Sequence, residues 1–273
     1  NLIGGSAGDT LTGNALNNTF VGGLGADTFN GLGGIDTVSY AEKTASVVAS
    51  ADGQSQDDGT VGEGDTIATD IENLTGGSGN DTLIGNASAN LLSGGPGADI
   101  LIGMDGADTI AGGSGSDTAS YNAPTSPLFN FAVTASLDGV TGNDGHVGEG
   151  DTINSDVENL TGGAGNDTLI GNSSANILTG LGGNDLLVGG LGPDTMLGND
   201  GTAFGFTADS SNMFNMNFDT VSYADRTNGV YASLATTAAV NGEPGEGDVI
   251  GPDVSNLIGG SGNDTLIGDE FSN

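Results

Sequence analysis

Gly76-Gly77-Ser78-Gly79-Asn80-Asp81 and Gly94-Gly95-Pro96-Gly97-Ala98-Asp99 are two copies of one phrase, eighteen residues apart. Outward from them, the closing aspartate recurs every nine residues. Asp9, Asn18, Asp27 and Asp36 share that phase, and so do Asp81, Asn90, Asp99, Asp108 and Asp117. Asp36 to Asp81 is 45 residues, a whole multiple of nine. A second register holds Asp167, Asn176, Asp185 and Asp194, and a third holds Asp219, Asp264 and Asn273. A fixed internal period outranks any local reading of the chain.

The residue two places after each anchor settles what the period builds. These residues are Leu11, Phe20, Phe29, Val38, Leu83, Leu92, Leu101, Ile110, Ala119, Leu169, Leu178, Leu187, Met196, Val221 and Leu266. All fifteen are apolar, in a chain only 35% hydrophobic. Alternate side chains of a strand point to opposite faces, so a short strand with one inward residue per rung accounts for the pattern. The turn form recurs at residues 22–27, 112–117, 162–167 and 259–264. Such glycine density excludes helix, whereas turns use glycine where the backbone visits positive φ or closely approaches a ligand.

The phrase reads G-G-x-G-x-D-x-U-x, with U apolar, and it resembles the RTX (repeats-in-toxin, haemolysin-type) calcium-binding family. Full or near-full matches run through roughly half of the sequence. The resemblance implies an all-β parallel β-roll, or β-solenoid. In it each nonapeptide is a half-coil, and Ca2+ ions lie between turns eighteen residues apart, held by Asp carboxylates and glycine carbonyls. Carried over, the carboxylate candidates are Asp9, Asp27, Asp36, Asp81, Asp99, Asp108, Asp117, Asp167, Asp185, Asp194 and Asp264. The carbonyl candidates are Gly76, Gly94, Gly112, Gly162, Gly180 and Gly259. Hard oxygen donors of this kind suit calcium on chemical grounds alone. The competing reading is that these aspartates only cap turns. Where Asn18, Asn90 and Asn176 replace the acid, the half-coils are expected to be calcium-poor and closed by side-chain hydrogen bonds.

Composition narrows the partners. The 273 residues include 53 Gly, 36 acids, two bases and no Cys, for a net charge of -34. Such a polyanion is repelled by nucleic acid and by anionic membranes. No apolar run approaches the ~20 residues of a membrane span, so no membrane insertion is expected. High charge with few aromatics is also a signature of disorder, but the periodic placement of the apolar residues argues for a packed core. The chain does not begin with Met and shows no leader, and it reads as a mature fragment or an excerpt of a longer protein.

Three wider cassettes interrupt the ruler. Asp36-Thr37-Val38-Ser39-Tyr40 recurs at residues 117–121 and 219–223. Each is followed by a β-rich stretch and an acidic turn: Glu63-Gly64-Asp65, Glu149-Gly150-Asp151 and Glu246-Gly247-Asp248. Asp65, Asp151 and Asp248 join the metal candidates, with Asp70, Asp156 and Asp253 behind them. Lys43 and Arg226, which follow Glu42 and Asp225, suggest local ion pairs. The resulting division is nonapeptide coils at 1–36, 81–117, 167–198 and 264–273. Wider coils fill 37–80 and 118–166, and an insertion plus wider coils fills 199–263, all in one continuous solenoid. An apolar insert at 201–218 is read as a local cover or a sticky contact.

Residue 273 joined to residue 1 would keep the nine-residue phase, and neither end shows a cap. Two expectations follow: an excerpt of a tandem array, or head-to-tail self-association with calcium between Asp264 of one copy and Asp9 of the next. With one His, no Cys, no nucleophile–base pairing and no H-E-x-x-H, catalysis is not expected. The expected function is an extracellular, calcium-folded structural solenoid. Alternatives are the stalk of an adhesin or the secretion and folding tail of a type I-secreted hydrolase or toxin.

Overall fold

The computed structural model describes residues 1–123, 131–199 and 218–269, and among them every regular element is a strand. The inserts expected around 124–127 and 201–217, with Phe204, Phe206, Met213, Phe214 and Met216, lie outside the described residues, as does Asn273. The chain divides into two compact units. One comprises residues 1–120, 139–142 and 149–157, and the other residues 121–138, 143–148 and 158–273.

In the first unit, successive nonapeptides feed two sides of a coil in turn. Leu2–Ile3, Thr19–Val21, Thr37–Ser39, Asn73–Thr75, Leu91–Gly97, Thr109–Gly115 and Thr152–Ile153 form one parallel sheet. Thr10–Thr12, Thr28–Asn30 and Thr66–Ile67 form a second, and Val47–Ser50, Thr82–Ile84, Ile100–Ile102 and Thr118–Ser120 a third. Partners are one coil apart: Leu2 faces Phe20, Leu83 faces Leu101 and Leu92 faces Ile110. The first cassette widens the step, so that Val38 faces Leu74 and Phe29 faces Ile67. The second unit repeats the scheme, with Leu169 on Leu187, Leu178 on Met196 and Leu187 on Val221.

Parallel pairing in this register stacks like on like. Phe20, Phe29, Val38, Leu83, Leu101, Leu169, Leu187 and Met196 are completely enclosed, and Phe20 and Phe29 pack with ring centroids 6.2 Å apart. Each buried aliphatic or aromatic side chain contributes on the order of 1.5–3 kcal/mol. Fourteen of the fifteen expected inward residues are buried, and Leu266 is the exception at 43% exposed. Its strand, Thr265–Ile267, is paired only on the Tyr231–Ser233 side, so no second described rung covers it.

Each cassette also carries a feature the nine-residue period does not contain, a short antiparallel finger. Val47–Ser50 pairs with Gly59–Thr60, Val133–Ser136 with Gly145–His146, and Tyr231 bridges Gly242.

Candidate metal centre

The anchor aspartates do not fan out from the coil edge; they point along it. Asp81 N donates to Asp99 Oδ1 at 2.7 Å, and Asp99 N donates to Asp117 Oδ1 at 2.9 Å. Asp9 donates in the same way to Asp27 (2.7 Å) and Asp27 to Asp65 (2.8 Å), while Asn18 donates to Asp36 (2.7 Å). Asn90 donates to Asp108 (2.8 Å), and Asp108 to Asp151 (2.9 Å). In the second unit the ladders run Asp167 to Asp185 to Asp219, both steps at 2.8 Å, and Asn176 to Asp194 (2.9 Å) to Asp248 (3.0 Å). Val47, Val133 and Val230 donate to Asp81, Asp167 and Asp264, because a cassette strand replaces the nonapeptide one coil earlier.

This arrangement explains the first glycine of every turn. A Cβ on Gly94 would stand 2.3 Å from Asp99 Oδ2, and one on Gly76 2.5 Å from Asp81 Oδ2. Gly112, Gly162, Gly180 and Gly259 are constrained in the same way by Asp117, Asp167, Asp185 and Asp264. The carboxylate lies over its own turn, so any side chain there collides with it.

The burial is severe. Asp27, Asp36, Asp99, Asp108 and Asp194 are at most 1% exposed, and in each the Oδ2 oxygen has no hydrogen-bond partner. Loss of hydration pushes Asp108, Asp185 and Asp194 up to about 8, and Asp99 and Asp167 up to about 6. Neighbouring carboxylates add to the shift: Asp117 and Asp81 act on Asp99, and Asp167 and Asp219 on Asp185. A buried carboxylate with a free oxygen is costly unless a proton or a cation meets it.

The four-copy profile of the RTX calcium-binding nonapeptide repeat matches residues 3–38, 68–101, 84–119, 152–187, 161–196, 179–202 and 255–273, more than half of the sequence. The chain belongs to the RTX calcium-binding nonapeptide repeat family. None of the curated proteins compared with it matches. An RTX chain is a calcium-binding structural repeat protein, and the ladders fit that ion. Among the described residues no three His, Asp or Glu side chains converge into a metal cluster. A calcium at a ladder step would therefore draw on one or two carboxylates and complete its shell from backbone carbonyls and water, all hard oxygen donors. In Asp27, Asp36, Asp99, Asp108 and Asp194 of this RTX chain Oδ1 takes the ladder N–H and Oδ2 has no partner, whereas Oδ2 of Asp9, Asp81 and Asp167 accepts the Gly5, Gly77 and Gly163 N–H groups.

The acidic turns differ from the nonapeptides. Asp65 and Asp248 accept a ladder N–H at Oδ1 and a tyrosine hydroxyl at Oδ2, from Tyr40 (2.9 Å) and Tyr223 (3.0 Å). Asp70, Asp156 and Asp253 cap backbone N–H groups of residues 31–32, 112–113 and 199. Lys43 does not pair with the adjacent Glu42; it turns inward to Glu63 and the Gly23 carbonyl. Arg226 does hold Asp225, and it also reaches Glu246 at 3.1 Å. His146 lies 3.4 Å from the Ala132 carbonyl, its ring edge-on to Tyr121.

Sequence reasoning missed Asp58 and Asp144, which clasp the fingers. Ser50 N donates to Asp58 Oδ1 at 2.6 Å, and Ser136 N donates to Asp144 Oδ1 at 2.7 Å. In the third cassette Asn241 Oδ1 accepts Ser233 N at 2.8 Å. The signal was an Asp or Asn eight residues after a cassette serine and directly before a glycine. Because neutral Asn241 does the same work, the clasp is a hydrogen-bonding role and not a charge role.

Proposed function

We propose that the chain is an extracellular structural solenoid that calcium folds and stiffens. The observation that carries this reading is the run of buried Oδ2 oxygens without partners on Asp27, Asp36, Asp99, Asp108 and Asp194. The ions belong at the steps of Asp9–Asp27, Asn18–Asp36, Asp81–Asp99–Asp117, Asn90–Asp108, Asp167–Asp185 and Asn176–Asp194, with Asp264 at the last. Each ion cancels two of the 34 net negative charges and ties adjacent coils. Extracellular modules bind calcium at ~10⁻⁴–10⁻³ M, so millimolar calcium outside a cell fills such sites and cytosolic calcium leaves them empty. Filled sites stabilise the fold by mass action. Secretion as an unfolded chain follows from the same switch, and RTX repeats are typical of secreted bacterial proteins. The role proposed is mechanical, with no catalytic step.

The finer reading is head-to-tail stacking. Leu2–Ile3 and Thr265–Ile267 are each paired on one side only among the described residues, and Ile3 is 76% exposed. A second copy of this chain would pair both edges and place Asp264 one coil from Asp9.

Circular dichroism and sedimentation in millimolar calcium, then in EGTA, test both levels. Strand signal in calcium that collapses in EGTA is expected, with sedimentation rising with concentration only when calcium is present. A fold indifferent to EGTA would overturn the calcium reading. A calcium-loaded species that stays monomeric at high concentration overturns the stacking alone.

A further inference from the structure

The residue four places before each nonapeptide anchor takes one of two conformations, and the anchor's side chain follows it. Gly5, Gly77 and Gly163 stand outside the left-handed region, and their N–H groups donate to Oδ2 of Asp9 (2.6 Å), Asp81 (2.6 Å) and Asp167 (2.7 Å). Asn14, Asn86 and Asn172 do the same for Oδ1 of Asn18 (2.7 Å), Asn90 (2.7 Å) and Asn176 (2.8 Å). These six turns close on their own anchors. In the turns of Asp27, Asp99 and Asp194 the same position is Gly23, Gly95 or Gly190, with φ of 96°, 101° and 86°. Oδ2 of each of these anchors is then buried without a hydrogen-bond partner.

The turns of Asp36, Asp108 and Asp185 are open as well, but on side chains that resist it. Leu32, Met104 and Leu181 hold φ of 73°, 78° and 76°, in the region where a Cβ crowds the neighbouring carbonyl. Leu32 is 61% exposed, so packing does not account for its conformation. Asp70 helps to hold it, since its carboxylate accepts Gly31 N at 3.0 Å and Leu32 N at 2.8 Å, engaging the N–H that would otherwise close on Asp36. Asp36, Asp108 and Asp185 are at most 2% exposed, and Oδ2 of each has no partner. Glycine moves between the two conformations at little cost, as Gly77 and Gly95 show. A leucine or methionine is penalised only in the open one. Left-handed non-glycine residues are uncommon, and strain of this kind gathers at ligand clamps.

We propose that the residue four before the anchor gates each calcium turn, and that Leu32, Met104 and Leu181 make the Asp36, Asp108 and Asp185 steps a low-affinity class. The inference rests on the calcium reading above and adds an order of filling. The glycine-gated steps of Asp27, Asp99 and Asp194 load first, and the three strained steps load last. An open turn offers a cation its buried oxygen, whereas a closed turn has given that oxygen to its own N–H. An ion that binds only the open turn has its apparent affinity reduced by the fraction of turns that are open. Left-handed strain at a non-glycine residue lowers that fraction roughly tenfold.

Native mass spectrometry of the full chain along a calcium series counts the ions bound at each concentration, with circular dichroism to confirm folding. Wild type is expected to fill in two groups. The Leu32→Gly/Met104→Gly/Leu181→Gly variant is expected to bind the same total, with the late group moved to roughly tenfold lower calcium. The matching triple alanine variant keeps each Cβ and its strain, and its late group is expected to stay late. Filling of wild type in a single group, a folded glycine variant that fills as wild type does, or an alanine variant that shifts as far as the glycine one overturns this inference and leaves the calcium reading standing. A wild-type chain that binds no calcium overturns both. Should the triple glycine variant fail to fold, Met104→Gly alone decides: one ion moved to lower calcium supports the gate, and an unchanged series overturns it.

Discussion

Asn90 and Asp99 anchor consecutive half-coils with the same rung architecture, since Leu92 and Leu101 behind them are equally enclosed. Their side chains solve the turn differently. Asn90 Oδ1 accepts Asn86 N at 2.7 Å, and its Nδ2 donates to the Glu72 carbonyl at 2.8 Å; Asn86 Oδ1 in turn accepts Ser88 N at 2.8 Å. Asn176 repeats these bonds with Asn172, the Glu158 carbonyl and Ser174. The Asn turn is neutral and closed by its own bonds. Asp99 satisfies one oxygen through Asp81 N, leaves the other unpaired, and faces Asp81 and Asp117 with like charge. Charge is therefore not what shapes a coil. It is an added feature that makes the coil depend on something outside the chain.

The comparison breaks most visibly at what the two turns share. A Cβ on Gly94 would meet Asp99 Oδ2 at 2.3 Å, and one on Gly85 would meet Asn90 Oδ1 at 2.3 Å. Gly94→Ala and Gly85→Ala are each expected to cost ~1–3 kcal/mol or more by overpacking, in calcium and with similar size. Urea melts check this. A large loss at Gly94 with none at Gly85 would mean that the first glycine serves only the acidic turns.

Asp99→Asn sharpens the difference. It removes a buried charge between two others while keeping an oxygen for Asp81 N. In EGTA the variant is expected to be more stable than wild type, and in calcium to need a higher concentration of the ion to reach half-folding. A shift of roughly tenfold corresponds to ~1.4 kcal/mol. Calcium titrations followed by circular dichroism read both arms, and a variant that loses stability equally in both conditions removes the distinction between the turns.

How much of this was legible beforehand follows the same division. The rungs were readable because period nine ties one apolar residue to each strand, and parallel stacking repeats that relation without help from distant sequence. The pairing of Asp81 with Asp99, or Asp167 with Asp185, was readable for the same reason. The direction of the carboxylates along the axis was not, since spacing fixes a Cα and leaves χ1 free. The fingers were also hidden: they are antiparallel, with two-residue arms such as Gly59–Thr60, too short to show alternation. The inward turn of Lys43 was masked by Glu42 beside it in sequence, when the acid that holds it lies twenty residues on.

The smallest effect expected is on pH dependence, and it separates the two kinds of turn without mutation. Without calcium, Asp108, Asp185 and Asp194 are pushed up to about 8 by burial, against about 4 for an aspartate in the unfolded chain. Between those values the folded chain holds protons that the unfolded chain has released, so stability falls as pH rises through the window. In EGTA the melting temperature is therefore expected to be higher near pH 5 than near pH 8. Saturating calcium displaces those protons and removes the advantage of low pH, so the two melting curves converge on the acid side. General repulsion among the chain's acids acts in the same direction, and Asp185→Asn isolates the buried contribution by flattening the upper part of the window. Asn turns have no proton to give or take and should contribute no slope. A melting temperature in EGTA that is flat or rising from pH 5 to pH 8 would mean that the buried carboxylates are met by something other than protons when calcium is gone.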